Sequence, residues 1–368
     1  MKKILLIVLL MLNAFSTQAN EPALSKESGL NLDIARHFYD VDSLKSFIDT
    51  IHQAGGHFLQ LHLSDDQNYA LESAYLDQLE RNATCRNGTC VNPKTGKPFL
   101  TYRQIDEIIR YAAEKQVELV PEVDSPGHMT AILSLLELKN GKDYVNGLRL
   151  KGSRGELNMT NPEAAEMVKT LIGEVIYIFG NSSRHFHAGG DEFSYDEPND
   201  NDFIRYINEL NDYISRKGLI TRIWNDGLTK KNLDSLNKNI EITYWSYDGD
   251  TQDSQEAKFR RDIRADVPLL LTKGFRVLNY NSYYLYVVPR KDKNLMEDMR
   301  FARRDMQSHW QLGVWDKQNK RDVVANRQLS GAALSIWGEY ADDMSGEQIQ
   351  SATQDLLKII IEKTNNAD

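Results

Sequence analysis

The strongest constraint on this chain is a repeated alternation of short apolar runs and longer segments of helical period. Strand-like runs occur at Gly29–Arg36, His57–Asp65, Val117–Asp124, His185–Phe193, Ile220–Asp226, Ile240–Tyr247, Phe275–Asn281 and Gly331–Trp337. Between them, helical periodicity marks Val41–Ala54, Tyr102–Lys115, Pro162–Phe179, Asp202–Lys217 and Gln255–Lys273, with a terminal segment at Gly346–Lys363. Pro162 after Thr160-Asn161 is a helix start, and Gly218 after Lys217 is a helix stop. The stretch after the fifth run, Leu228–Lys238, has room for a single turn. Eight strands alternating with helices predict an α/β fold, a single (β/α)8 TIM barrel over residues 20–368. A doubly wound sheet is the competing arrangement. It calls for a glycine-rich turn after the first strand, and Ile34-Ala-Arg-His-Phe-Tyr39 has no glycine.

The first residues read differently. Lys2 and Lys3 precede the apolar run Ile4–Leu12, followed by small and polar residues up to Ala19, with Thr17 and Ala19 as the small pair before a cleavage point. This predicts a signal peptide at residues 1–19. The run is too short for a membrane anchor, which needs about 17–25 apolar residues. The expectation is therefore a secreted or periplasmic protein with no membrane attachment in its mature form. Acidic residues outnumber basic ones by 53 to 44, for a net charge of −9, and no basic stripe appears, which argues against nucleic acid as a partner. The two cysteines, Cys85 and Cys90, lie in the polar stretch Asn82–Val91. In an exported protein they read as a local disulfide, since a metal site would need two further ligands nearby.

A barrel of this kind carries its chemistry at the C-terminal ends of its strands. Here those ends collect Asp33 and Arg36, His62 and Asp65, Glu122, Asp124 and His128, and then Asp191 and Glu192. The later ends supply Trp224, Asn225 and Asp226; Trp245, Tyr247, Asp248, Asp250 and Asp253; Asn279 to Tyr286; and Trp337 with Glu339. Tryptophan and tyrosine beside carboxylates suit a sugar site. Aromatic faces stack on pyranose rings, while carboxylates, Asn and Arg hydrogen-bond hydroxyls.

At the fourth strand, His185-Phe-His-Ala-Gly-Gly-Asp-Glu-Phe193 resembles the catalytic strand of the family-20 glycoside hydrolases, the β-N-acetylhexosaminidases. Val120-Pro-Glu-Val-Asp-Ser-Pro-Gly-His128 is similar to that family's strand-three motif. The likeness continues in Trp224-Asn-Asp-Gly227, Tyr244-Trp-Ser-Tyr247, Asn279–Tyr286 and Leu334–Glu339. The layout looks most like the family's single-barrel, biofilm-dispersing members. Many relatives have an extra α+β domain before the barrel; only about ten residues separate the leader from the first strand here, so none is expected.

The resemblance implies a substrate-assisted mechanism, in which the substrate's own 2-acetamido oxygen is the nucleophile. It makes Glu192 the general acid, Asp191 the acceptor for the acetamide N–H, and Tyr286 a donor to the acetamide oxygen. His128 would contact the acid and Asp65 would orient His128. Substrate contacts are expected from Arg36, Tyr195, Trp224, Trp245, Trp337 and Glu339. Asp250 and Asp253 are expected at the entrance, where they would attract amino groups of a partly deacetylated N-acetylglucosamine polymer. Neither cofactor nor metal is implied. Three other readings stay open: a β-1,4 chitooligosaccharide hexosaminidase, a metal-dependent deacetylase built on His185 and His187, and a non-catalytic glycan-binding barrel.

Overall fold

The computed structural model describes residues 26–194, 201–292 and 294–368. The leader at residues 1–19 and Tyr195 lie outside the described residues. In chain order the elements are β1 (Glu27–Asp33), α1 (Val41–Gln53), β2 (Phe58–His62), β3 (Thr84–Arg86), β4 (Thr89–Val91), β5 (Pro98–Phe99), α2 (Tyr102–Glu114) and β6 (Glu118–Glu122). Next come α3 (Thr130–Asn140), α4 (Lys142–Leu148), α5 (Pro162–Phe179), β7 (His185–His187), α6 (Asp202–Arg216), β8 (Ile220–Trp224) and β9 (Glu241–Tyr244). The chain ends through α7 (Ser254–Ile263), α8 (Val267–Thr272), β10 (Arg276–Asn279), β11 (Tyr286–Val287), α9 (Leu295–His309), β12 (Gly331–Ile336) and α10 (Gly346–Asn365).

Eight parallel staves, β1-β2-β6-β7-β8-β9-β10-β12, close on themselves through the pairing of β1 with β12. This is the (β/α)8 barrel that the alternation predicts. Each stave splits its residues between two layers because successive side chains point to opposite faces. Leu59 and Leu61 of β2 join the apolar layer shared with the helices. Phe58 belongs instead to a smaller inner cluster with Val120, Trp224, Leu278, Tyr280 and Ala333. Gln60 and His62, on the same face as Phe58, bond to groups inside the barrel.

Several elements depart from the sequence expectation. The fourth apolar run is a strand only over His185–His187, because Gly189 and Gly190 take φ values of 81° and 91°, which end the extended geometry. The single helix expected at Gln255–Lys273 is two, α7 and α8. Asp266 caps the second of these and Pro268 lies in its first turn. After the fifth strand the crossover is reduced to a 3-10 turn, Leu233–Ser235, as its length suggested. The seventh stave is broken: β10 pairs with the start of β12, and β11 takes over against Ser335 and Ile336. Helices α3, α4 and α9 have no counterpart in the sequence reading. The polar stretch around the cysteines folds into a small antiparallel sheet, β3-β4-β5, in which Cys85 and Cys90 face each other and are joined by a disulfide. Among the described residues no helix is long and apolar enough to cross a membrane.

Closure needs close backbone approach. A Cβ on Gly331 would lie 1.8 Å from the carbonyl oxygen of Glu27 on the neighbouring stave. Gly331→Ala is therefore expected to lower the unfolding free energy by about 3 kcal/mol, since a clash with backbone cannot be relieved by a rotamer change. Equilibrium denaturation of the variant would measure this, and an unchanged midpoint would show that the seam can open at little cost.

Candidate active site

The barrel interior holds Glu122, a fully buried carboxylate near the end of β6. It accepts from Gln60 Nε2 at 2.8 Å and from Trp224 Nε1 at 2.7 Å. His62 Nδ1 and His187 Nδ1 lie 3.2 and 3.3 Å away. Burial alone would raise its pKa, but the neighbouring histidines and the amide donor outweigh burial and hold it down at about 2.

From Glu122 a row of alternating charges runs to the rim. His62 sits between Glu122 and Asp65, with Nε2 3.0 Å from the latter. The two carboxylates overcome its burial and push its pKa well up. Asp65 also meets Arg36 Nη2 at 2.7 Å and His128 Nδ1 at 3.4 Å. Its burial would raise its pKa, yet the hydrogen bonds and charges of His128 and His62 hold it far below the usual carboxylate range. On the other side of the ring, His128 Nε2 lies 3.8 Å from Glu192 Oε2. Burial disfavours the charged imidazole, but the Asp65 hydrogen bond and the fields of Asp124, Asp65 and Asp191 raise its pKa to about 10. His128 is therefore cationic at neutral pH.

The adjacent acids end up in different surroundings. Glu192 has a side chain 53% exposed and a φ of 38°, left-handed geometry that a non-glycine residue adopts at a cost. Asp191 is turned inward, and its Oδ1 is buried without a partner among the described residues. Burial, followed by the field of Asp226, pushes its pKa well up, and His128 opposes them. The turn that separates the pair is built on Asp124, whose Oδ1 accepts from Gly190 N at 3.0 Å. Gly189 must be glycine: a Cβ there would stand 2.0 Å from that same oxygen.

Aromatic side chains line one side. Tyr286 stacks on Trp245 with ring centroids 5.9 Å apart and leans on Trp337 at 5.6 Å. Burial, with Asp191 and Asp226 behind it, keeps the Tyr286 phenol protonated well beyond its ordinary range. Trp245 donates to Asp226 at 2.7 Å, and Asp226 is held in turn by Arg264 at 2.6 Å. Trp224 is fully buried and donates to Glu122, so it forms the floor beneath Trp337 rather than a wall. Arg36 lies over Trp337, 5.3 Å from the ring centroid, and pairs with Asp33 and Asp65. Glu339 acts on Arg36 through its field and forms no ion pair with it within 4.0 Å.

The structure gives the two entrance residues other occupations. Asp253 is the N-cap of α7 and accepts from Gln255 N and Glu256 N. Asp250 is paired with Lys317 at 2.7 Å. Neither histidine of β7 reaches the rim: His185 lies against Glu118 and Glu241, and His187 against Thr243 and Glu122. Among the described residues, ligand atoms of His185 cluster within 4.8 Å with those of Glu27 and Glu241, and His187 belongs to no such cluster. Ligand atoms of Asp124, His128 and Asp191 also cluster within 4.8 Å. The site list drawn from sequence omitted Glu122, His62, Asp124 and Asp226. All four stood at predicted strand ends, which was the available signal.

The chain matches the model of the glycosyl hydrolase family 20 catalytic domain over residues 28–350. It is similar to the crystal structure of dispersin B, with 52% identity, a TM-score of 0.91, and coverage of 93% of this chain and 100% of that one. A lacto-N-biosidase of Bifidobacterium bifidum is 25% identical over 292 residues, which are 72% of this chain and 23% of that protein. A β-N-acetylhexosaminidase of Cellulomonas fimi is 31% identical over 170 residues, covering 45% of this chain and 32% of the relative. The chain thus spans less than a third of the length of these two curated relatives.

The charge on His128 makes a prediction about pH. A histidine whose pKa is raised from about 6.5 to about 10 on folding contributes its full stabilisation below pH 6.5 and loses it as pH climbs through 10. The stability difference between the wild type and His128→Gln should therefore shrink steadily from pH 6 to pH 10. A constant difference across that range would mean that the imidazole is neutral in the fold. Trp224→Phe should cost about 1–3 kcal/mol by leaving Glu122 short of a donor, measurable by the same denaturation experiment.

Proposed function

The chain belongs to glycosyl hydrolase family 20, and from that premise we propose that it is a retaining β-N-acetylglucosaminidase using the substrate's acetamide as nucleophile. The observation that carries this reading is the division of labour between two neighbouring carboxyls. Asp191 Oδ1 is buried without a partner among the described residues, close to the aromatic wall, while Glu192 is half-exposed beside a cationic His128. Two adjacent residues cannot bracket a glycosidic bond in the usual two-carboxylate manner, so a nucleophile from the substrate itself fits this site.

In the proposed first step the acetamide oxygen attacks the anomeric carbon. The bond to the leaving oxygen breaks, and Glu192 passes its proton to that oxygen. The carboxylate left behind is stabilised by the His128 imidazolium, 3.8 Å away in the free protein. The oxazolinium ring carries positive charge at nitrogen, where Asp191 accepts the N–H bond. Its carboxyl, pushed up by burial and by Asp226, is drawn toward the anion by that developing charge. Tyr286, protonated, supplies a donor for the acetamide oxygen, and Trp245 and Trp337 enclose the sugar face. In the second step water attacks the anomeric carbon and yields its proton to Glu192, while the bond from that carbon to the acetamide oxygen breaks and restores the acetamide.

For the substrate we propose poly-β-1,6-N-acetylglucosamine of biofilm matrix, on the likeness of the strand motifs to the family's biofilm-dispersing members and the 52% identity to dispersin B. The predicted leader agrees with work outside the cell. β-1,4 chitin oligomers are the competing substrate, and product analysis on both polymers separates the two.

Two measurements test the mechanism. Glu192→Gln should lower kcat by about 10²–10⁴-fold on poor leaving groups and by less on an activated aryl glycoside, because the latter needs little protonation. Replacing the substrate's N-acetyl group by a hydroxyl should nearly abolish turnover. Rapid hydrolysis of that analogue, or a trapped glycosyl ester on a carboxylate, would rule the proposal out.

A further inference from the structure

Two inward carboxyls just beyond β6 and β7, Asp124 and Asp191, have no counter-ion of their own. The cations Arg36, His62, His128 and Arg264 all lie within 3.4 Å of other acids, namely Asp33, Asp65, Glu122 and Asp226. Neither Asp124 nor Asp191 forms an ion pair among the described residues. The Asp124 carboxyl is fixed in place. Its backbone N–H donates to Ser64 Oγ at 3.1 Å, and its Oδ1 accepts from Gly190 N at 3.0 Å. Its Oδ2 is buried without a partner among the described residues, and so is Asp191 Oδ1. An oxygen of one carboxyl lies within 4.8 Å of an oxygen of the other.

The surrounding groups do not supply the missing positive charge. Asp124 faces Glu122 of β6, His62 and Asp65 from the end of β2, and Tyr206 of α6, whose hydroxyl donates to Ser125. Asp191 faces Asp226, Glu192 and the phenol of Tyr286. His128 reaches both with its field, but its Nδ1 is turned to Asp65 and its Nε2 to Glu192. The Glu192 carboxyl looks out to the cleft, and the chain beyond it is tied down where Ser194 N donates to Glu156 Oε1 at 2.8 Å. Two carboxylates this close in a buried site oppose each other's ionisation. Burial is the first cause that raises the pKa of each, and at Asp191 the field of Asp124 adds to it.

From this geometry we propose that Asp124 and Asp191 hold one proton between them, and that Asp124 keeps it while Asp191 is ionised against the bound acetamide. Asp124 is then a positioning residue, acting through the charge of Asp191 and not on the substrate. In the free protein the proton sits on Asp191. As the ring nitrogen becomes positive, Asp191 gives that proton up and Asp124 Oδ2, the oxygen that the fold leaves unbonded, receives it. One O–H bond breaks, one forms, and the charge of the pair is unchanged. A single water spans a gap of this size with two hydrogen bonds. The inference rests on the proposed acetamide nucleophile and deepens it, by naming where the proton goes when Asp191 becomes the anion that the oxazolinium requires.

The test is Asp124→Asn, whose amide copies the shape and the neutrality of the protonated carboxyl. The rate constant kcat/KM is followed on a dinitrophenyl N-acetylglucosaminide, whose leaving group needs no proton from Glu192. At acid pH the wild type also has a neutral Asp124. At alkaline pH it must still move a proton off Asp191, whereas in the variant Asp191 ionises alone. The variant-to-wild-type ratio should therefore rise by about tenfold or more between pH 5 and pH 9. A flat ratio means that Asp124 serves only the fold, and a falling one that its negative charge keeps His128 cationic; either result overturns the inference. Isotope-edited infrared spectra of the wild type, with its aspartate carboxyls labelled, need no variant. One protonated aspartyl carboxyl is expected at pH 8, and none overturns the inference. Should the N-acetyl and 2-hydroxyl substrates be hydrolysed alike, the acetamide reading falls, while the infrared band still reports the shared proton.

Discussion

A carboxylate inside a barrel is tolerable only if every charge and lone pair around it is answered, and Glu122 imposes that condition here. An unpaired buried ion costs several kcal/mol even after relaxation. Glu122 offsets that cost with two direct donors, Gln60 and Trp224, and the cationic His62, contributed by β2 and β8. Each partner is thereby fixed. Trp224 becomes the floor because its N–H is committed to Glu122. His62 is held charged, which places Asp65 as an anion, which in turn holds Arg36 and the cationic His128. The position of the ring beside Glu192 thus descends from a carboxylate deep in the barrel.

Barrel closure supplies the other half of the site. The last stave lies beside the first in register from Glu27↔Gly331 to Leu32↔Ile336. Asp33 then accepts from Gly338 N, a contact spanning 305 residues of sequence. This brings Arg36 over Trp337, so the cation and the aromatic wall come from opposite ends of the chain. The broken seventh stave has a related effect. When β11 replaces β10 against β12, Trp337 N donates to Val287 O, and Tyr286 is set beside both Trp245 and Trp337.

Backbone freedom at a few positions decides how the acid pair is presented. Gly189 and Gly190 turn the chain sharply at the end of β7, and Gly127 has no space for a Cβ, which would lie 2.9 Å from Asp191 O. His128 and Glu192 both take positive φ, at 53° and 38°. Strain of that sort persists only where surrounding contacts over-determine it, and here the Asp65, Asp124 and Ser194 contacts provide them. Consecutive residues consequently face opposite environments, one inward and one toward the cleft.

The sequence by itself determined the barrel, the order of its staves and the strand ends that carry chemistry. Local periodicity records which face of an element is buried, and the glycines and carboxylates after His187 mark an unusual turn without reference to anything distant. It did not reveal α3, α4 or α9; α3 has apolar residues around most of its circumference, and α9 buries little more than Met306. Nor could it show that Asp253 caps a helix, that Asp250 is taken by Lys317, or that Arg36 pairs with Asp65 more closely than with Glu339. Those outcomes belong to the tertiary structure alone. Whether a charged side chain is free or engaged depends on partners brought near by folding, and composition records only that the charges exist.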